Sequence, residues 1–583
     1  MRIVHVGISN FRGIRTLGWT PSPGMNCLIG PGDSTKTTIL DAIDLALNPR
    51  ANYLGDDTDF YNLDFTASAK ITVTVVGMPG EFCADNRYGL YLRGWDNVSH
   101  TVLDEPADKL IEALSIRVEI DPTTLEGRWS IFNDRLSEEP DPPSLRFKDA
   151  RELATTRLGP YAERHLGWGR QSILNRIGEG GKMSEQLAAA SRAARDAFRA
   201  SNKDVFAVPT ARAEKLGRHF SVRVRQAFTA ELDIKGSAVT SGGVSLHDDG
   251  LPLRTLGTGS SRLIVSALQH DAHGSHIALV DEIEHGLEPH RIARLLKYLL
   301  EPPVDDEDRI VGAANIRQQI FLTTHSEFVV RELRAENIHA VRCNDGETKV
   351  RSVELTAETP DAAQRHLRSV PAAFLARRIV VGEGKTECGL LRGLDVCWSQ
   401  SGSDSFALRG VVAVDGGGVP NAVTLTQHLL DLGYECVTLL DSDEPPSPES
   451  VAKVNAAGGT VLEWPDNCST EERIFLDVPW HVLRALVAYA AESHTADGVL
   501  TRINATCVAA QVAKLADLTL PASLDSDILR AILGATAKMK KHPWFKTIER
   551  GEHIATLIYP CLDEIERKPL ALYLRRLRAW IDG

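Results

Sequence analysis

A short stretch near the N-terminus constrains the chain most. The apolar run MNCLIG at residues 25–30 opens into Gly30-Pro31-Gly32-Asp33-Ser34-Thr35-Lys36-Thr37-Thr38, and apolar residues then recur at helical spacing up to Leu47, just before Pro49. A strand, a glycine-rich loop and a helix in direct succession are the context a phosphate-binding loop requires. Backbone N–H groups of such a loop and of the helix start surround an anion. Lys36 is expected to contact the β- and γ-phosphates of a nucleotide and the Thr37 hydroxyl to bind Mg²⁺, with Gly30, Gly32, Asp33, Ser34, Thr35 and Thr38 forming the rest of the cradle. Thr35 departs from the usual pattern, because a glycine ordinarily precedes the lysine. A tighter loop or an altered nucleotide geometry is expected there.

A second stretch completes the chemistry. Residues 276–289 read HIALVDEIEHGLEP, in which four apolar residues end on Asp281 and Glu282. A buried strand that delivers two acids to its carboxyl end suits an open α/β sheet, where ligands lie beyond the strand ends. Asp281 is predicted to hold Mg²⁺, and Glu282 to polarise the water that attacks the γ-phosphate. Ahead of it, Gly257, Gly259 and Ser260 start a helix (SRLIVSALQ), a glycine-hydroxyl anion site. Behind it, the apolar run QQIFLTT ends on His325, a residue able to bond the γ-phosphate or the attacking water, although a lone histidine there is more often structural.

With 583 residues the chain exceeds one core, and its hydrophobic and charged fractions, 43% and 25%, are those of a soluble globular protein. No apolar run approaches the ~20 residues of a membrane span, and the N-terminus lacks a secretory pattern, so a cytoplasmic location without membrane partners is expected. Nine cysteines without a CxxC pair argue against structural zinc or a disulfide framework. The net charge of −13 does not advertise nucleic acid binding. It does not exclude it either, since phosphate contacts need only a local basic face.

Between these stretches, short strands are expected at residues 3–8, 14–19, 71–76, 116–120 and 129–132, and Pro140, Pro142 and Pro143 mark a linker. Residues 147–232 turn Ala-, Arg- and Glu-rich with helical periodicity, which reads as a helical insertion, either of core-packing helices or of an arm for dimerisation, ahead of DNA contact. Residues 236–252 form a Gly- and Ser-rich loop, and a Pro- and Asp-rich loop follows residue 300.

The second half repeats the strand-then-acid pattern. ARRIVV leads to Glu383 and Glu387, VVAVD leads to a Gly-Gly-Gly turn, and VTLL leads to Asp441-Ser442-Asp443. Three short strands spaced by helical lengths indicate another parallel α/β unit. Glu383 and Glu387 stand i and i+4 across a helix start and are able to face one point.

In order, the phosphate loop, the glycine-serine turn, the acidic strand with its GLEP turn and the histidine resemble ABC-type ATPase heads of the SMC and RecF group over residues 1–365. The NFRG turn at residues 10–13 strengthens the likeness. No glutamine clearly fills the usual Mg²⁺-contacting loop. The later run VVGEGKTE, the DGGG turn and LLDSDEP resemble the Toprim fold, which binds Mg²⁺ beside a nucleic acid backbone. A head followed by a Toprim unit resembles the OLD (overcoming lysogenisation defect) nucleases, including the larger protein of Gabija-type phage defence.

This resemblance implies an α/β chain with an ATPase N-terminal lobe (1–146), a helical insertion (147–235), an ATPase C-terminal lobe (236–370), a Toprim domain (371–480) and a helical C-terminal part (481–583). It implies an ATP-regulated, divalent-metal-dependent DNA endonuclease or nickase, acting in phage defence or DNA repair. ATP would be sandwiched between Lys36 and Thr37 of one subunit and the turn of residues 257–260 of another, in a homodimer or higher homo-oligomer. Glu383, Glu387, Asp441, Asp443 and Glu472, or its neighbour Glu471, would hold two divalent ions, Mg²⁺ or else Mn²⁺ or Ca²⁺, one to activate water and the other to neutralise charge on the leaving oxygen. Lys546 matches the family's lysine near the scissile phosphate, or is an ordinary surface lysine. DNA and a partner defence protein are the implied partners. The rival reading is a RecF- or SMC-like ATP-gated DNA-binding protein without nuclease activity.

Overall fold

The apolar runs that frame the two sequence motifs become neighbours in one sheet. In this computed structural model, which describes residues 1–50, 53–136, 143–158, 165–168, 172–174, 180–201, 204–219, 225, 227–228, 230, 244–271, 276–300 and 318–583, the strand Met25–Ile29 lies between Gln319–Thr323 and Ile338–Asn344, parallel to both. Ile277–Val280 pairs in parallel on the far side of Gln319–Thr323. All residues of Met25–Ile29, Ile277–Val280 and Gln319–Thr323 are buried, as strands covered on both faces must be. The helix Lys36–Leu47 follows the loop as its periodicity predicts.

The sheet is thirteen-stranded among the described residues and continues through Arg2–Phe11, Ile14–Trp19, Ala69–Val76 and Ile111–Ile120 as an antiparallel layer. Residues 156–158, expected within the helical insertion, instead form the edge strand Thr156–Leu158 beside Ile277–Val280. Three residues carry too little periodicity to announce a strand; here the neighbouring strand supplies the hydrogen bonds. The insertion does contain the helices Gly180–Ala200 and Asp204–His219. Pro140 and Pro142, residues 231–243 and the loop at 301–317 lie outside the described residues.

The second half forms a four-stranded parallel sheet in the order Val411–Asp415, Arg378–Gly382, Glu435–Leu440, Thr460–Glu463. Helices Thr470–Asp477, Trp480–His494, Ala496–Ala509, Asp527–Ala537, Ile548–Ile558 and Pro569–Asp582 complete this part.

The two sheets are not separated by a free linker. One hydrophobic core runs from Cys27, Val280 and Leu322 of the first to Ile379, Val414 and Leu440 of the second. The hairpin Ile338–Asn344/Glu347–Ser352 joins them: Arg342 donates to the Arg377 carbonyl at 3.2 Å and Arg351 to the Asp431 carbonyl at 2.7 Å. Tyr434 donates its phenol to the Phe374 carbonyl, and His428 Nε2 lies 2.9 Å from the Val353 carbonyl. No helix among the described residues is long and apolar enough to cross a membrane.

Candidate functional site

Gly30 ends its strand at φ 144°, a left-handed-side conformation, and a Cβ there would lie 2.5 Å from the Val341 carbonyl oxygen. Only glycine passes this point. Asp33 and Thr35 also take positive φ, 58° and 67°. Thr35 therefore adopts the backbone that a glycine would supply, at a cost of about 1–2 kcal/mol for a residue with a Cβ. Its hydroxyl bonds the Thr348 hydroxyl at 3.2 Å, tying the loop to the hairpin that abuts the second sheet.

Lys36 is buried and folds back into the loop. Its ammonium donates to the Gly30 carbonyl (3.1 Å), the Pro31 carbonyl (2.7 Å) and Ser34 Oγ (3.1 Å). Burial lowers its pKa to about 8, against the opposing pull of Asp281, Asp33, Glu282 and Glu284. Its three loop acceptors hold its ammonium inside the loop.

The acidic strand end meets this loop. Asp281 Oδ1 accepts from Thr37 Oγ1 at 3.2 Å and from Thr323 Oγ1 at 2.6 Å. Arg157, on the unforeseen edge strand, is 3.9 Å from Asp281 Oδ2 and pairs closely with Asp41. Glu282 turns out at φ 46° with its carboxylate exposed, and its N–H donates to Thr323 Oγ1. Glu284 accepts the Thr324 hydroxyl at 2.7 Å and the His325 N–H at 2.6 Å, so it fixes the turn that carries His325. Burial and the Lys36 charge lower the His325 pKa, opposed by Glu284, Glu282 and Asp281. Its imidazole is neutral at pH 7.

The turn of Gly257, Gly259 and Ser260 is fastened to the acidic strand from the other side. A Cβ on Gly259 would meet the Gly286 carbonyl oxygen at 2.1 Å, so the turn packs directly on GLEP. Buried Arg262 donates to the carbonyls of Asp281 and Glu282 at 2.8 and 2.9 Å. Arg291 donates to Ser260 Oγ at 3.2 Å. Arg157, Arg262 and Glu284 all escaped the sequence reading. For Glu284 the signal was present, as the third acid of DEIE; the two arginines gave none.

The second sheet gathers a different set. Its strand order puts the topological switch between Arg378–Gly382 and Glu435–Leu440, whose ends carry Glu383 and Asp441. Glu383 Oε2 accepts the Asp441 N–H at 2.9 Å. Glu387 is buried and caps its own helix by accepting the Gly384 N–H at 2.9 Å. Asp441 Oδ1 accepts both the N–H and hydroxyl of Thr470 at 2.8 Å. Glu471, 2% exposed, accepts the Thr386 hydroxyl at 3.1 Å.

These four acids repel one another. Asp441 is raised to about 9 by burial and by Glu387, Glu383 and Glu471. Glu387 is raised to about 7 by burial and by Glu471 and Glu383. Glu383 is raised by burial, Asp443 and Glu471, while Lys546 pulls it down. Asp443, whose charge also reaches Glu383, and Glu472 share Lys538, whose ammonium is 3.2 Å from one and 2.8 Å from the other. The structure thus brings Glu471, rather than Glu472, into the buried group. Exposed Lys546 acts on Glu383 through charge, whereas Lys538 makes direct ion pairs.

Among the described residues no three His, Cys, Asp or Glu side chains are grouped to hold a metal ion as they stand. The carboxylates are turned to the protein donors just named. The chemistry of the set nonetheless fits a hard cation: oxygen donors only, three of them buried and Glu383 half-buried, mutually repelling, with none of the four in an ion pair among the described residues.

A family model described as "AAA domain, putative AbiEii toxin, Type IV TA system" matches residues 25–331. No curated protein matches. Among solved structures the chain is similar to an SMC head domain from Thermotoga maritima, at 16% identity over 61% of this chain and 100% of that one, TM-score 0.28. It is also similar to the Smc head domain bound to the C-terminal domain of ScpA from Pyrococcus furiosus, at 12% identity over 60% and 95%, TM-score 0.32. A third is the recombination mediator RecF–ATPrS, at 11% identity over 60% and 98%, TM-score 0.32.

Proposed function

The chain belongs to the AAA domain family of the AbiEii, type IV TA system description, and from that premise we propose that it is an ATP-regulated, divalent-metal-dependent DNA endonuclease or nickase of the OLD kind. The observation that carries the nuclease half is the group of buried Glu387, Asp441 and Glu471 with half-buried Glu383 at the switch point of a parallel sheet. That arrangement supports reading residues 371–480 as a Toprim domain, with residues 481–583 as its helical completion.

In the head, Lys36 would exchange its three loop acceptors for phosphate oxygens of ATP. Thr37 and Asp281, already in contact, are the pair to hold the Mg²⁺ that accompanies ATP. Glu282, exposed beside them, is the group to take a proton from water, and neutral His325 is able to donate to the γ-phosphate or orient that water. A second copy would supply Gly257, Gly259 and Ser260 to the nucleotide, which makes the working form a homodimer or larger, with residues 147–235 as its dimerisation element.

In the second sheet, Glu383, Glu387, Asp441 and Glu471 are the residues to hold a divalent cation, with Asp443 and Glu472 flanking them. Such an ion, when bound, supplies an acidified water and charge neutralisation at phosphate. The chain's own residues orient the site: Thr470 fixes Asp441, the Asp441 N–H fixes Glu383, and Thr386 fixes Glu471. Lys538 and Lys546 supply positive charge on two sides for a phosphodiester.

The rival is an ATP-gated DNA-binding protein of the RecF or SMC kind without cleavage. It is favoured by the way the acids stand turned to protein donors, with no three grouped to hold an ion among the described residues. Supercoiled plasmid incubated with Mg²⁺ or Mn²⁺ separates the two. Nicked or linear product with the unaltered chain, and none with Asp441→Ala, is the nuclease result. Intact plasmid with every metal is the rival's.

A further inference from the structure

The turns that end two neighbouring parallel strands of the head are laced together. From the turn after Ile277–Val280, the Glu282 N–H donates to Thr323 Oγ1 at 2.8 Å and the Ile283 N–H to the Thr323 carbonyl at 3.2 Å. The bonds in the other direction all run to one side chain. Glu284 Oε2 accepts the Thr324 hydroxyl at 2.7 Å, and its Oε1 accepts the His325 N–H at 2.6 Å. We infer that Glu284 is a positioning residue for ATP hydrolysis, which sets His325 against the γ-phosphate and the attacking water and acts on the reaction through that histidine. This rests on the reading of the head as an ATPase.

Its contacts separate Glu284 from the two acids before it. Asp281 faces the hydroxyls of Thr37 and Thr323, and Glu282 turns its carboxylate outward. Glu284 is half-buried and gives one oxygen to each of two consecutive residues of the strand end. That fixes both the distance and the rotation of the segment. Thr324 is fully buried, and its Oγ1 also accepts the Ser326 N–H at 3.0 Å, just before the helix Glu327–Glu332. The hold on His325 is on its backbone, so the whole residue is placed and no demand is made on the ring nitrogens.

Loss of that hold should fall on the chemical step rather than on nucleotide affinity. The Lys36 ammonium is held by Gly30, Pro31 and Ser34, and Glu284 is not among its acceptors. The Glu284 charge only opposes the burial that lowers Lys36, and the burial and Lys36 charge that lower His325. A reacting group displaced by about 1 Å, by contrast, costs on the order of 100-fold in rate.

The test is a double-mutant cycle on the full chain, read as steady-state ATP hydrolysis with Mg²⁺ in excess and with kcat and KM separated. Glu284→Ala and His325→Ala are each expected to lower kcat about 100-fold at unchanged KM. The double variant should also be down about 100-fold, whereas independent losses would multiply to about 10,000-fold. Glu284→Gln should recover most of the rate, because its amide oxygen still accepts the His325 N–H and its amide nitrogen can donate to the Thr324 hydroxyl oxygen. A multiplicative double variant, a loss read in KM instead of kcat, or a glutamine variant as slow as the alanine one overturns the inference while the head remains an ATPase. No hydrolysis by the unaltered chain overturns the ATPase reading itself, and the inference with it. Should Glu284→Ala not fold, Glu284→Asp, one methylene short of the His325 N–H, takes its place in the cycle with the same expectation.

Discussion

Asp281 ends its strand between two threonine hydroxyls, with Arg157 close by, whereas Asp441 ends its own among three other carboxylates. Both lie at the carboxyl edge of a parallel strand, so topology alone does not distinguish them. Their surroundings do. The head site has Lys36 and Arg157 beside its acids and is balanced for an anion and a cation arriving together, as a nucleotide with its Mg²⁺ does. The second site crowds carboxylates that raise one another's pKa, and among the described residues none of its four acids is in an ion pair. One sets cations beside its acids, the other sets carboxylates beside one another.

The contrast is sharpest at the group expected to act in turnover. Glu282→Gln keeps the exposed shape beside Asp281 but cannot accept a proton. ATP hydrolysis should fall about 1,000-fold, within the range for losing a general base, while nucleotide binding persists. Equal turnover in both proteins removes Glu282 from that role.

Lys36→Ala attacks the anion side of the comparison. The loss of a charged donor to phosphate should weaken ATP binding on the order of 100-fold, about 3 kcal/mol. Fluorescent-nucleotide titration reads it. An unchanged Kd would show that the loop N–H groups suffice.

The cation side is read by pH. Asp441 rises from 3.8 to about 9 and Glu387 from 4.5 to about 7 on folding. The folded chain therefore holds protons that the unfolded chain has released. The associated stability is complete below about pH 4 and is lost as pH rises through about 7 and then about 9. With chelator present, Tm should fall between pH 5 and 9; excess Mg²⁺ should restore it, and Asp441→Asn should flatten the upper part of the fall. An unaltered slope in Asp441→Asn means that this carboxyl is not under strain. The head offers a control, since Asp281→Asn should leave that slope in place.

The smallest effect joins the two regions. Thr348→Val removes the hydroxyl that anchors Thr35 to the hairpin next to the second sheet. It should cost about 1 kcal/mol of stability, the worth of one net hydrogen bond, measured as a lower denaturant midpoint at unchanged slope. No shift would leave the left-handed Thr35 supported by packing alone.

Much of this was legible in the sequence, and the reasons for the rest are physical. Strands bounded by glycines or acids declare themselves: Met25–Ile29, Ile277–Val280 and Val411–Asp415 stand where apolar runs place them. Helix Lys36–Leu47 follows its periodicity. Edge strand Thr156–Leu158 was invisible because its order comes from Ile277–Val280, over a hundred residues on. Glu471 and Glu472 are adjacent, and only the direction of helix Thr470–Asp477 decides which one enters the buried group. The stretch AKMKKHPWFK offers four lysines; close packing at Gly534, which no local pattern announces, selects Lys538 for the ion pairs. Local chemistry is written locally, and convergence is written in packing.

The central claim is that nucleotide at the head governs metal-dependent cleavage at the second sheet, through a shared core and the hairpin between them. The direct measurement is plasmid nicking rate against ATP concentration, with Mg²⁺ in excess, for the unaltered chain, Lys36→Ala and Asp441→Ala. The account predicts a rate that changes with ATP in the unaltered chain, a rate indifferent to ATP in Lys36→Ala, and none in Asp441→Ala. Identical rates in all three, flat with ATP, would contradict it.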